Sequence, residues 1–148
     1  MNRVLTGKVI LLLVFITTFW FSSKPANISS EQSKGTLVRL KIITTEDILH
    51  RTPKYLFWSS GIRKLAHFGL YAIAGIGAFM ATGDMKKSIL IVFFMGSFDE
   101  IHQYFIPGRG AQLKDVLLDT LGGTTGAVFT SFILGVREQG YRVKTRLG

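Results

Sequence analysis

Apolar residues lie along this chain in long blocks. Residues 4–22, 62–82, 88–105 and 115–136 each form a nearly unbroken hydrophobic run. Each run approaches the roughly 20 residues that a helix needs to cross a hydrocarbon core of ~30 Å. The pattern predicts an all-α membrane protein, a four transmembrane helix bundle with a long first extracytoplasmic loop over residues 23–61. Arg3 and Lys8, which precede the uninterrupted apolar stretch Val9 to Phe21, would suit a secretory signal. That run ends in Phe19-Trp20-Phe21 with no small-residue cleavage site close behind, so it reads as a retained anchor with Trp20 at the outer interface. In the first loop, Ser29-Ser30-Glu31 reads as a helix start. Leu37, Leu40 and Ile43, with Arg39 and Lys41 between them, suit a short amphipathic helix on the membrane surface, and a solvated loop fits equally.

The polar residues that interrupt these runs form stripes. In the second run Lys64, His67 and Tyr71 fall at i, i+3 and i+7, and Ala74 and Ala78 continue the same face. In the third, Glu100 and Gln103 lie above Gly96 on one face, with Asp99 and His102 on the adjacent edge. Pro107-Gly108 stops that helix and leaves Arg109 in a tight loop. In the fourth, Asp115, Asp119, Gly122 and Gly126 share a face whose glycines suit close helix packing in lipid. Alternating helix direction then brings His67, Glu100, Gln103, Asp115 and Asp119 to one depth near the outer surface. A shallow polar pocket open to the outer leaflet is the consequence.

Composition agrees with the membrane reading. The chain is 47% hydrophobic, and its 18 Lys and Arg against 9 Asp and Glu leave a net charge of +9. In a membrane protein that excess points to membrane lipids with anionic headgroups as partners, and no basic-aromatic motif points to nucleic acid. Without cysteine there is no disulfide framework, thiolate metal site or thiol nucleophile. The 148 residues read as a single domain. Met85-Lys86-Lys87 reads as a short basic loop, and with Arg137, Arg142, Lys144 and Arg146 in the tail it places both termini in the cytoplasm. The oligomeric state is left open.

Ionisable groups at membrane depth are functional candidates by default. Lys64, His67, Tyr71, Glu100, Gln103, Arg109, Asp115 and Asp119 are the candidate ligand-binding residues. Glu100, Asp119 and His67 are the candidates for acid–base catalysis, since burial moves carboxyl groups toward the acid form. No cofactor or metal is expected. A metal held by His67, Glu100 and Asp119 would need three helices to converge, which spacing does not establish.

The series Glu100, Gln103, Pro107-Gly108-Arg109, Asp115 and Gly122-xxx-Gly126, together with RKLAHFGLY at residues 63–71 and FSS at residues 21–23, resembles the VanZ-like family of small bacterial membrane proteins. The resemblance covers nearly the whole chain. Asp119 departs from it, standing where the family often has asparagine. What the resemblance implies is a place in the bacterial cell membrane and an association with tolerance of teicoplanin-type glycopeptides, with no defined reaction attached.

Three function classes follow. In the first, the pocket binds an anionic amphiphile such as a lipid-linked cell-wall precursor or a lipoglycopeptide. Arg109 clamps a phosphate or carboxylate, Lys64 adds charge, and Glu100, Asp115 and Asp119 hold these cations when the pocket is free. In the second, a membrane-embedded hydrolase or transferase acts on lipid phosphates or glycans, although no nucleophile motif is present. In the third, Lys64, Glu100, Arg109 and Asp115 are ion-paired helix glue and the role is architectural. Transport has the least support, because four short helices leave little room for alternating access.

Overall fold

The computed structural model describes residues 2–147, with side chains through residue 135. Six helices build it: α1 (Arg3–Ser22), α2 (Ala26–Arg39), α3 (Thr45–Leu49), α4 (Pro53–Thr82), α5 (Met85–Tyr104) and α6 (Leu113–Leu147). The side chains of Arg137, Arg142, Lys144 and Arg146, invoked for orientation, lie outside the described ones.

Capping chemistry sets most of the boundaries. Asn2 Oδ1 accepts from Val4 N at 3.1 Å to start α1. Thr52 accepts from Tyr55 N at 3.3 Å with Pro53 as the first helical residue, so α4 begins well over two turns before the expected residue 62. Gly83 closes α4 in the left-handed region at φ 65°, where glycine is unstrained. Asp84 then accepts from Lys87 N at 2.9 Å, which makes Met85-Lys86-Lys87 the first turn of α5 and not a loop.

The expected loop over residues 23–61 is largely helical. It holds α2, α3 and the first turns of α4. The helix start expected at Ser29 lies three residues early, at Ala26, because Pro25 occupies the cap and cannot continue a helix backwards. α2 folds back onto α4, burying Leu37 and Ile43. Its first amide, Ala26 N, donates to Pro107 O at 3.2 Å and ties the strap to the loop between α5 and α6.

α1, α4 and residues Leu113–Gly135 of α6 are long and apolar enough to cross a membrane. α5 is not in that set, since its 20 residues include Lys86, Lys87, Asp99 and Glu100. α4 is the central element, packed most extensively on α6 and next on α1. α4 and α6 run parallel, with Gly122 against Phe68 and Gly126 against Ala72. α1 and α5 run the opposite way, placing Gly7 against Gly77, and Gly96 against Tyr71. The buried centre is small-residued, consisting of Ala74, Ala78 and Val92 under Val14 and Tyr71.

Candidate functional site

Helix directions bring the C-terminal ends of α1 and α5, the first turns of α6 and the middle of α4 to one end of the bundle. A cleft of about 470 Å³ opens there. Lys64, His67, Glu100, Gln103, Arg109, Asp115 and Asp119 all line it. Tyr71 does not; it lies beneath, fully buried, with its ring stacked on His67 at 6.4 Å between centroids.

Three helices meet at the floor. His67 Nδ1 of α4 lies 3.6 Å from Asp119 Oδ1 of α6 and 3.9 Å from Asp99 Oδ2 of α5. Asp119 is 0% exposed and Asp99 3%. Gly96 makes room for this meeting, since a Cβ there would stand 3.3 Å from the Asp119 Cβ. Both Asp119 oxygens, Asp99 Oδ1 and the Tyr71 hydroxyl are buried without a hydrogen-bond partner.

Gln103 organises the wall beside this floor. Its amide nitrogen donates to Asp99 Oδ2 at 2.9 Å and, more loosely, to Glu100 Oε1 at 3.3 Å and Ser22 Oγ at 3.4 Å. Its carbonyl accepts from Arg109 Nη1 at 3.0 Å. Arg109 Nη2 reaches the Phe21 carbonyl at 3.4 Å, and its Nε is buried with no partner. Burial pushes the Arg109 guanidinium below its ordinary range, with the nearby Arg63 charge adding to the effect; arginine stays cationic at neutral pH all the same. On the α1 side, Ser23 Oγ shares a 3.0 Å hydrogen bond with His102 Nε2, and the His102 ring stacks on Phe19.

Glu100 lines the cleft, and its Oε2 accepts from the Gln112 backbone N–H at 2.7 Å, pinning the loop to α5. One expectation is corrected: the carboxylates do not hold the cations. Among the described residues no Lys or Arg lies within ion-pair distance of Asp99, Glu100, Asp115 or Asp119, so the ion-paired arrangement expected of Lys64, Glu100, Arg109 and Asp115 does not form. Long cationic side chains instead line the cleft beside buried acids.

Sequence reasoning left out Asp99, Arg63 and Lys114, all close to the site. Asp99 had a legible signal. Ser88, Val92, Gly96, Asp99, Glu100 and Gln103 are the buried residues of α5, at helical spacing, and Asp99 belongs to them as much as Glu100 or Gln103 does. Arg63 and Lys114 line the cleft. A second cavity of about 270 Å³ adjoins it between α1, α2 and α4, walled largely by apolar groups such as Phe21, Ile62, Ala66 and Leu70. Arg63, His67 and Arg109 line both.

Fold and site together define a helical membrane protein with a polar, cation-lined cleft at one end of the bundle. Residues 8–134 match the VanZ/LLP1 family, and the chain belongs to that family. No curated protein and no solved structure matches it.

Proposed function

We propose that this is a multi-pass protein of the bacterial cell membrane whose cleft receives the anionic headgroup of an amphiphile in the outer leaflet. A lipid-linked cell-wall precursor or a lipoglycopeptide has that chemistry, and the family's association with teicoplanin resistance supports the choice. The carrying observation is the junction of the two cavities. A polar cleft and an apolar groove share Arg63, His67 and Arg109, so a molecule with a charged head and a greasy tail fits across both. Arg63, Lys64 and Lys114 have no ion-pair partner among the described residues, which leaves their charge available to a ligand.

Topology follows the same reading. α5 returns the chain from the Thr82 end of α4 to the Leu113 end of the parallel α6, so it crosses the same thickness and makes the fourth span. Arg3, Lys86 and Lys87 gather at the end away from the cleft, which the positive-inside rule assigns to the cytoplasm together with both termini. The chain has no cysteine, so single-cysteine variants report orientation directly. Lys34→Cys should react with an impermeant thiol reagent on intact cells and Lys86→Cys should not.

For binding, the protein in nanodiscs of phosphatidylcholine is titrated with phosphatidylglycerol. Arg63→Ala combined with Lys64→Ala should weaken binding at least ~10-fold, since a hydrogen bond to a charged group contributes about 1.5–3 kcal/mol, and the remaining affinity should fall with salt. Parent-like affinity in that variant would sink the proposal. A second reading, a membrane-embedded hydrolase or transferase, draws on the imidazole beside two carboxylates at the cleft floor. Turnover of a labelled lipid phosphate that disappears in His67→Ala would favour it over binding alone.

A further inference from the structure

We infer that His67, Asp99 and Asp119 form a binding site for one divalent cation of the Zn²⁺ or Mn²⁺ type at the floor of the cleft. The site needs only these three side chains and forms whether or not a headgroup binds above them.

One ligand atom from each of the three lies within 4.8 Å of the others. The two measured separations from His67 Nδ1 are 3.6 and 3.9 Å. Metal–ligand bonds of about 2.0–2.2 Å place tetrahedral ligands roughly 3.4 Å apart. A contraction of a few tenths of an ångström from the imidazole to each carboxylate, and up to about 1.4 Å between the carboxylates, closes the set. Small side-chain rotations supply that.

Charge points the same way. Asp99 and Asp119 are both at least nine-tenths buried, and no Lys or Arg among the described residues is within ion-pair distance of either. Two carboxylates facing a single imidazole are under-neutralised, and a buried charge without compensation is strongly unfavourable. A dication balances two carboxylates against a neutral histidine. The unpartnered atoms fit as well. Both Asp119 oxygens accept nothing from the protein and remain free as ligand atoms, and Asp99 Oδ2, the oxygen 3.9 Å from His67 Nδ1, keeps a lone pair beside the one that accepts from Gln103.

Gln103 supplies the support that metal sites commonly show around their ligands. Its amide holds Asp99 Oδ2 at 2.9 Å and fixes that carboxylate toward His67. The mix of one imidazole and two carboxylates suits Zn²⁺ and Mn²⁺ over Ca²⁺, which prefers an all-oxygen shell. Both His67 and Asp119 border the cleft, so the remaining coordination positions open into it, where water or an anionic oxygen completes the shell.

The test uses the full chain in phosphatidylcholine nanodiscs, stripped with chelator and dialysed, so that a failure to bind anionic lipid leaves the outcome untouched. Zn²⁺ and Mn²⁺ are titrated separately, with elemental analysis for stoichiometry, thermal unfolding for stabilisation and electron paramagnetic resonance for bound Mn²⁺. One ion per chain is expected, with a rise in melting temperature. Affinity should fall at least 10-fold in Asp119→Asn and in His67→Ala, while Glu31→Gln, an exposed carboxylate on α2, should match the parent. A stoichiometry near zero in the parent overturns the inference. So does parent-like affinity in Asp99→Asn and Asp119→Asn, which would mean that the ion sits elsewhere.

Discussion

The α4–α6 seam and the polar floor share those two helices, with α5 joining them at the floor, and solve opposite problems. In the seam the backbones touch. A Cβ on Gly75 would collide with the Gly123 carbonyl, and one on Gly126 with that of Ala72. Lipid gives helices no hydrophobic reason to associate, so contact of this closeness is what holds them. One or two turns away the same helices carry His67 and Asp119, whose Nδ1 and Oδ1 stay 3.6 Å apart and whose carboxylate has no hydrogen bond. The seam maximises packing and carries no chemistry. The floor gives up hydrogen-bond satisfaction and keeps ionisable groups available, as functional sites often do at the expense of stability.

Adding atoms to the seam should therefore produce the largest effect. Gly126→Leu forces α4 and α6 apart and should remove about 3 kcal/mol or more, at or beyond the upper end of overpacking costs. The variant is expected to elute as aggregate in size-exclusion chromatography after detergent extraction. Gly69→Ala is the matched control on α4, since a Cβ there meets nothing within 4 Å. It should be neutral or stabilising by about 0.5–1 kcal/mol from helix propensity. Equal tolerance of both changes would mean that the seam does not hold the bundle.

Beside the floor stands Gln103, which links α1, α5 and the loop after α5. Gln103→Leu keeps the volume approximately and deletes a side chain bonded to Asp99, Glu100, Ser22 and Arg109. Leaving those buried partners unmet should lower stability by about 2 kcal/mol. Proteolysis within residues 105–112 should quicken at the same time, because Arg109 then has only the Phe21 carbonyl to hold it.

On the floor, removing charge should help folding. In chelator-treated protein Asp119→Asn takes one of two carboxylates out of a buried pair, and stability should rise by about 1 kcal/mol. Asparagine is also the residue that the family resemblance leads one to expect here. Metal-loaded parent should overtake the variant, so the order of melting temperatures reverses with Zn²⁺. A variant less stable than the parent under chelation would show that the Asp119 carboxylate contributes to folding in its own right.

How much of this was legible before the structure varies with the physics. Helical periodicity carries the faces well. Lys64, His67 and Asp119 reach one cleft because spacings of three and four residues place them on inward faces, and the glycines of α6 pack as their spacing implies. Helix starts were less legible where a cap and not hydrophobicity decides. Thr52-Pro53 and Asp84 begin α4 and α5 in polar sequence that reads as loop. Glu100 and Asp99 show the limit for sites. Neighbours on one helix edge differ by 100° in direction, and which one reaches the floor depends on how α5 is rotated against α4 and α6. The loop decides the remainder, since the Gln112 amide holds the Glu100 carboxylate. No spacing rule contains that bond. The unpaired state of the cations was equally out of reach, because sequence gives charges and not distances.

The smallest effect belongs at the outer strap, where packing is light and solvent screens every charge. Asp47 forms a capping box with Thr44, accepting from its backbone N–H at 2.9 Å, and its other oxygen accepts from the Thr52 hydroxyl at 2.8 Å. The Thr44 amide first, and the Thr52 hydroxyl next, hold this carboxyl below the usual carboxylate range. A depressed folded value means that the contribution is present in full above the unfolded carboxylate value of about 3.9 and is lost as pH falls through the folded one. Exchange of the Thr44 amide, corrected for its intrinsic rate, should keep its protection down to about pH 4 and lose it below that. In Asp47→Asn that dependence should flatten while melting of the bundle stays unchanged. The strap would then be shown to unfasten locally, leaving both seam and floor as they were. A shift in the global melt with Asp47→Asn would instead couple strap and bundle, and the contrast between a rigid seam and a poised polar end would have to include a third, outer element.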